Sequence, residues 1–92
     1  MAKEINFKET LGTDWRNAKN CTYKREMVRE LAAEAKNGVE IVAYKYGYSV
    51  SVKIKKSQIT KKRINGTSVI AKEFGGINPY WIWCNVISAK EF

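Results

Sequence analysis

Two kinds of side chain alternate along the segment Val42-Ala43-Tyr44-Lys45-Tyr46-Gly47-Tyr48-Ser49-Val50-Ser51-Val52-Lys53-Ile54-Lys55. Even-numbered positions carry Val, Ile and Tyr, and odd-numbered positions carry mainly Lys, Ser and Gly. Successive side chains of a β-strand point to opposite faces. The alternation therefore predicts a β-ribbon with one apolar, aromatic face and one polar, basic face.

The alternation continues through Gly47, and this restricts how the ribbon can turn. A two-residue turn at Tyr46-Gly47 would pair Tyr44 with Ser49 and mix the two faces. We therefore expect either one long strand that bends at Gly47 or a three-residue loop, Tyr46–Tyr48, that joins two strands.

The residues before the ribbon predict a helix from about Tyr23 to Lys36. Its apolar side chains recur at the spacing of one helical stripe, at Met27, Val28, Leu31, Ala32 and Ala35. We expect Thr22 to cap the start of this helix and Asn37-Gly38 to end it. A second, short helix is predicted over Thr13–Asn20, with Thr13 or Asp14 as its cap.

The residues after the ribbon predict further strands. Asn65-Gly66 is typical of a type I′ turn and would pair Gln58–Ile64 with Thr67–Phe74. The segment Tyr80–Ser88 is apolar at both parities, which is typical of a central strand. We therefore expect a single α+β domain over residues 1–92, with an N-terminal helix (or two) packed on a mainly antiparallel sheet of three to five strands.

The basic residues are concentrated in one part of the chain. Of 17 Lys and Arg residues, eight lie between Ile41 and Lys72, a stretch that contains no Asp or Glu. The other residues hold nine basic and nine acidic side chains, so this stretch accounts for the whole net charge of +8. A polyanion or an acidic partner would offset such self-repulsion. The alternative is a set of edge-strand lysines that only prevent aggregation.

Composition argues against an enzyme. The chain contains no His and one Asp, Asp14, which excludes His-based acid–base catalysis and His-ligated metal sites. We therefore expect no catalytic residue, no metal and no cofactor. Cys21 and Cys84 lie 63 positions apart, and we expect two buried thiols. A disulfide between them would require an oxidising compartment.

The candidate binding residues are basic and aromatic side chains of the ribbon and of the predicted hairpin tip. Cations beside aromatic rings are typical of proteins that bind single-stranded nucleic acid, in which bases stack on the rings. Trp81 and Trp83 are expected in the core, whereas at least one Tyr ring is expected at the surface, because buried hydroxyls need partners. The predicted partner-binding or nucleic-acid-binding set is Lys45, Lys53, Lys55, Lys56, Lys61, Lys62, Arg63, Tyr46 and Tyr48.

Three features describe the chain as a whole: no targeting signal or catalytic set, the acid-free tract Ile41–Lys72, and the aromatic segment Pro79-Tyr80-Trp81-Ile82-Trp83-Cys84. In general character the chain resembles phage-encoded anti-CRISPR proteins, particularly inhibitors of type I-F surveillance complexes. The resemblance extends over the full length without a shared motif, so it transfers no functional residue. It implies a non-enzymatic inhibitor that docks on the guide-RNA–protein complex and prevents target DNA from binding.

Two other functions stay open. The chain could be a stand-alone module that binds RNA or single-stranded DNA, or an interaction protein whose partner is an acidic protein surface. The longest apolar runs, Ile41–Tyr44 and Tyr80–Cys84, are far shorter than the ~20 residues that span a bilayer, so we expect no membrane partner. The expected location is the cytoplasm, which is that of the bacterial host if the protein is phage-encoded.

Overall fold

A computed structural model describes residues 3–58, 75 and 79–92 of the chain. These residues form a four-stranded antiparallel sheet and α-helices, which confirms the expected α+β fold with an N-terminal helix. The strands are β1 (Glu4–Asn6), β2 (Gly38–Lys45), β3 (Tyr48–Lys55) and β4 (Val86–Glu91), and the helices are α1 (Phe7–Leu11), α2 (Cys21–Glu34) and α3 (Pro79–Cys84). The strand order is β1-β4-β2-β3, so β2 and β4 are the central strands.

The hydrophobic core lies between one face of the sheet and α2. On the sheet, Val39, Ile41 and Ala43 of β2 stand opposite Ile54, Val52 and Val50 of β3. On α2, the predicted apolar stripe is confirmed, because Val28, Leu31 and Ala32 are all buried. The largest fully buried side chains of the core include Trp83 and Phe7. These two aromatic residues belong to α3 and α1, so both short helices are anchored to the same core.

The β2–β3 hairpin has the two-residue turn that the alternation argued against. Lys45 pairs with Tyr48, and the two turn residues have positive φ angles of 51° at Tyr46 and 89° at Gly47. Positive φ at both positions defines a type I′ turn, whose twist matches that of the strands. Core-facing residues are therefore odd-numbered in β2 and even-numbered in β3. The expectation that the apolar face keeps the same parity through Gly47 is wrong. The apolar residues at both parities of β2 concealed this change.

The predicted capping of the main helix is also wrong. Helix α2 begins at Cys21, because the 3₁₀ turn Ala18–Asn20 leads directly into it, and Thr22 therefore lies inside its first turn. The helix ends at Glu34, because the next residue, Ala35, takes an extended backbone with ψ of 150°. Asn37 and Gly38 therefore do not end the helix, and Gly38 is instead the first residue of β2.

Two further predictions differ from the structure. The helix expected over Thr13–Asn20 is replaced by two 3₁₀ turns, Gly12–Asp14 and Ala18–Asn20. A strand is expected over Tyr80–Ser88, but the residues up to Cys84 form helix α3. Only the residues from Val86 onward belong to a strand, the central strand β4. Proline favours the first position of a helix, and a short run that is apolar at both parities does not distinguish a buried helix from a buried strand.

The predicted hairpin at Asn65-Gly66 lies outside the described residues, which stop at the 3₁₀ turn Lys56–Gln58 and resume at Gly75. Lys61, Lys62 and Arg63 of the predicted binding set lie in the same interval. Among the helices of the described ranges, none has the length and apolar character needed to cross a membrane.

Candidate functional site

The tip of the β2–β3 hairpin borders a cleft of about 260 Å³, which we call the tip cleft. It is lined, among the described residues, by Arg16, Tyr44, Tyr46, Gly47, Trp81 and Asn85. The lining comes from the loop before α2, the hairpin, and α3 with the residue that follows it. Its volume is below the roughly 300–1,000 Å³ of pockets that enclose drug-sized molecules. The tip cleft therefore suits one planar ring better than a whole small molecule.

Two aromatic rings form one side of the tip cleft. The rings of Tyr46 and Trp81 have centroids 5.9 Å apart and planes inclined by 32°, and 74% of Tyr46 and 37% of Trp81 are exposed. Among the described residues, Tyr46 is the only non-glycine residue with positive φ, a conformation that costs an L-residue roughly 1–2 kcal/mol. The fold therefore displays a large ring at an unfavourable backbone position, and such positions cluster at ligand sites.

Asn85 joins the parts of the tip cleft to one another. Its buried Oδ1 accepts a hydrogen bond from Arg16 Nε at 3.1 Å, and its Nδ2 donates to the Trp81 carbonyl at 2.9 Å. Its backbone carbonyl accepts from the Tyr44 N–H at 2.9 Å. One residue thereby fixes the guanidinium, the aromatic helix α3 and strand β2 relative to one another.

Arg16 supplies the positive charge of the tip cleft. Its Cζ lies 5.7 Å from the centroid of the Trp15 ring, and that ring lies 6.1 Å from the Tyr44 ring. Stacking on Trp15 and the bond to Asn85 orient the guanidinium, whose terminal nitrogens donate no hydrogen bond to the described residues. The described lining contains no carboxylate. An anion is therefore the natural ligand for this side chain.

A second cation, Lys24, binds the backbone on either side of Asn85, which lines the tip cleft. Its side chain is fully buried, and Nζ donates to the carbonyls of Cys84 and Val86, both at 3.0 Å. The ammonium also lies 5.2 Å from the Trp15 ring centroid. Burial lowers the pKa of Lys24 from 10.5 to about 8. Lys24 therefore ties the end of α3 to α2 and helps to hold Trp81 in place.

The predicted binding residues divide between the two ends of the hairpin. Lys45, Tyr46 and Tyr48 lie at the tip, whereas Lys53, Lys55 and Lys56 lie at the opposite end. Lys55 lies seven positions after Tyr48, about 23 Å along an extended strand. Tyr46 and Tyr48 are exposed, which confirms that at least one Tyr ring lies at the surface.

Two of the lysines at the end opposite the hairpin tip already contact other groups of the protein. Lys53 stands directly opposite Glu40 in the sheet and has its Nζ 5.2 Å from the Phe92 ring. The Lys56 ammonium donates to the carbonyls of Ala33 and Ala35 at the end of α2, both at 3.0 Å. The described cations therefore do not form the single basic surface that the sequence suggests.

Four residues of the tip cleft, Arg16, Tyr44, Trp81 and Asn85, are absent from the predicted set. Trp83 is fully buried, as expected, but Trp81 lines the tip cleft instead of the core. Residues two positions apart lie on nearly opposite sides of a helix. Because α3 is a helix, Trp81 and Trp83 cannot both face the core.

Comparison with known proteins identifies no relative. No protein-family model, curated protein or solved structure shows significant similarity to the chain. Within residues 3–58, 75 and 79–92, no group of three or more His, Cys, Asp or Glu side chains is placed to hold a metal ion.

Proposed function

We propose that this protein is a non-enzymatic binding protein that holds single-stranded nucleic acid at the tip cleft. One base stacks on the exposed ring of Tyr46, and the guanidinium of Arg16 binds a neighbouring phosphate. The observation that carries the proposal is the exposed Tyr46–Trp81 pair beside an oriented guanidinium.

The exposed Tyr46–Trp81 pair favours single-stranded nucleic acid over a duplex as the ligand. Every base has a π-face that can stack on an aromatic side chain, whatever the sequence. In a duplex these faces are covered by neighbouring bases, whereas in a single strand they are accessible. The size of the tip cleft matches one ring. The expected ligand is therefore an unpaired nucleotide within a longer strand.

The charge of the protein supports the same ligand. The net charge is +8, and the described lining of the tip cleft holds Arg16 without an opposing carboxylate. Phosphate contacts of this kind give affinity without sequence preference.

The resemblance to anti-CRISPR proteins supplies a setting for this activity. In that setting the single strand is the guide RNA of a surveillance complex, and the bound protein prevents the target DNA from pairing with it. A chain with a charge of +8 cannot imitate the phosphates of DNA, so it inhibits by occupying RNA or the adjacent protein surface. This narrower proposal rests on general character, and the experiment below separates it from a stand-alone binding module.

The test measures the affinity of a fluorescein-labelled oligouridine by fluorescence anisotropy. Stacking contributes roughly 1–3 kcal/mol per base, so Tyr46→Ala should weaken binding by roughly 5- to 150-fold. Tyr23→Ala is the matched control, because Tyr23 is an exposed ring (38%) on α2 that does not line the tip cleft. Its affinity should equal that of the wild type.

Salt titration tests the phosphate contact. For single strands, the slope of log affinity against log salt is about −0.7 per neutralised phosphate, so Arg16→Gln should reduce its magnitude by about 0.7. Equal losses in Tyr46→Ala and Tyr23→Ala, or equal affinity for a duplex, would contradict the proposal. Tight binding to an assembled surveillance complex with weak binding to its naked guide RNA would favour the inhibitor over the stand-alone module.

A further inference from the structure

The two cysteines meet at the junction of α2 and α3. Cys21 is the first residue of α2 and Cys84 is the last residue of α3, and neither is in a disulfide bond. Their Sγ atoms lie 2.8 Å apart in a thiol–thiol hydrogen bond. A disulfide holds its sulfur atoms about 2.05 Å apart, so the two atoms need to approach each other by less than about 1 Å.

The two thiols differ in accessibility. Cys21 is 1% exposed, whereas Cys84 is partly exposed. Burial, together with the hydrogen bond to Cys84, raises the pKa of Cys21 to about 12. A reagent from solvent therefore meets Cys84 first, and Cys21 is positioned to react only with a group already attached to Cys84.

We propose that Cys21 and Cys84 are a redox-modification site, which forms a reversible intramolecular disulfide with a low-molecular-weight disulfide such as glutathione disulfide. The Cys84 thiolate attacks one sulfur of the oxidant, whose S–S bond breaks and releases one glutathione thiolate. Cys21 loses its proton and attacks the Cys84 sulfur, which expels the second glutathione thiolate. The two protons from the cysteines end on two glutathione molecules, so the protein is oxidised by two electrons and the oxidant is reduced by two.

The bond ties the helix that carries Trp81 to the start of α2, and it closes most of the chain into one loop. A cross-link over 63 positions removes conformational freedom from the unfolded chain. For a domain of this size, the expected rise in the melting temperature is roughly 10–20 °C. The oxidised protein should keep the native fold, because the thiols are already in contact.

The experiment incubates the full chain with glutathione buffers of increasing oxidised fraction, followed by intact-mass analysis and thermal melting. The wild type should lose the mass of two hydrogen atoms, form no cross-linked dimer and melt at the higher temperature. Cys21→Ser should instead accumulate one glutathione on Cys84, because the resolving thiol is missing. Cys84→Ser should remain unmodified in the folded state, and addition of a reductant should restore the original melting temperature of the wild type.

Three results would overturn the proposal. A stable glutathione adduct on the wild type would show that Cys21 does not resolve it, and a cross-linked dimer would show that the reaction is intermolecular. A disulfide form that melts at or below the temperature of the reduced form would show that the fold does not accommodate the bond. The Cys21→Ser, Cys84→Ser double variant separates these results from other effects of glutathione, because its melting temperature should not depend on the buffer.

Discussion

The buried ammonium of Lys24 makes the stability of this protein depend on pH in a way that can be calculated. The side chain is fully buried and donates two hydrogen bonds to backbone carbonyls. Burial lowers its pKa from 10.5 to about 8. As pH rises, the folded protein therefore releases the proton of Lys24 well before the unfolded chain does.

The sign of the effect follows from proton binding. Between pH 8 and pH 10.5 the unfolded chain binds more protons at Lys24 than the folded protein, so stability rises with pH. With a pKa of about 8, the folded-state ammonium is about half deprotonated at pH 8 and about nine-tenths at pH 9. At 1.36 kcal/mol per unit, Lys24 contributes a gain in unfolding free energy of about 1 kcal/mol over that interval.

The assay compares wild type with Lys24→Met in urea unfolding followed by tryptophan fluorescence, at several pH values and with reductant present. Cys21 acts in the opposite direction, because its pKa is raised to about 12 and its contribution to stability declines above pH 9. Both proteins contain Cys21, so its effect largely cancels in the difference between them. That difference should grow by about 1 kcal/mol from pH 8 to pH 9 in favour of the wild type.

Lys36→Met is the control, because Lys36 is exposed and lies just beyond α2. The pH dependence of the difference between wild type and Lys36→Met is the baseline for the effect of removing an exposed ammonium. If the difference between wild type and Lys24→Met follows that baseline, Lys24 has an ordinary pKa in the folded protein. Burial would then not disfavour its charged form, contrary to the expectation.

Two further predictions concern the backbone that supports the hairpin. A Cβ at Gly38 would overlap the backbone carbonyl oxygen of Ile54, so Gly38→Ala should lower the unfolding free energy by about 3 kcal/mol. Gly47→Ala, which has open space but positive φ, should cost about 1 kcal/mol; equal losses in urea unfolding would contradict the steric argument. Lys56→Met should cost about 1 kcal/mol, because two carbonyls at the end of α2 lose their donor. Lys55→Met should be neutral, and an equal loss there would show that the capping bonds do not matter.

The sequence predicts those parts of the fold that repeat with a clear period. The apolar stripe at Val28, Leu31 and Ala32 identifies α2, because one face of a helix is buried over several turns. The alternation identifies the two strands of the hairpin but not the turn between them. A strand that is apolar at both parities, like β2, carries no signal of which parity faces the core.

The tip cleft was predicted only in part, because its residues come from distant segments without a shared period. The sequence identifies Tyr46 as a candidate binding residue because it lies in a row of alternating tyrosines beside lysines. Arg16 and Asn85 are adjacent only because the fold brings the loop before α2 against the end of α3. The sequence predicts Trp81 in the core, because a domain this small needs large side chains for its core. Such a site depends on tertiary packing, which local patterns do not encode.

NMR chemical-shift mapping with an unlabelled oligouridine shows where nucleic acid binds on the protein. If it binds at the tip cleft, the largest saturable shifts should occur at the Gly47 amide, the Trp81 indole N–H and the Arg16 Nε–H, since all three residues line the tip cleft. Largest shifts at Lys53 and Lys55, which lie toward the opposite end of β3, would contradict binding at the tip cleft. The absence of any saturable shift would contradict it equally.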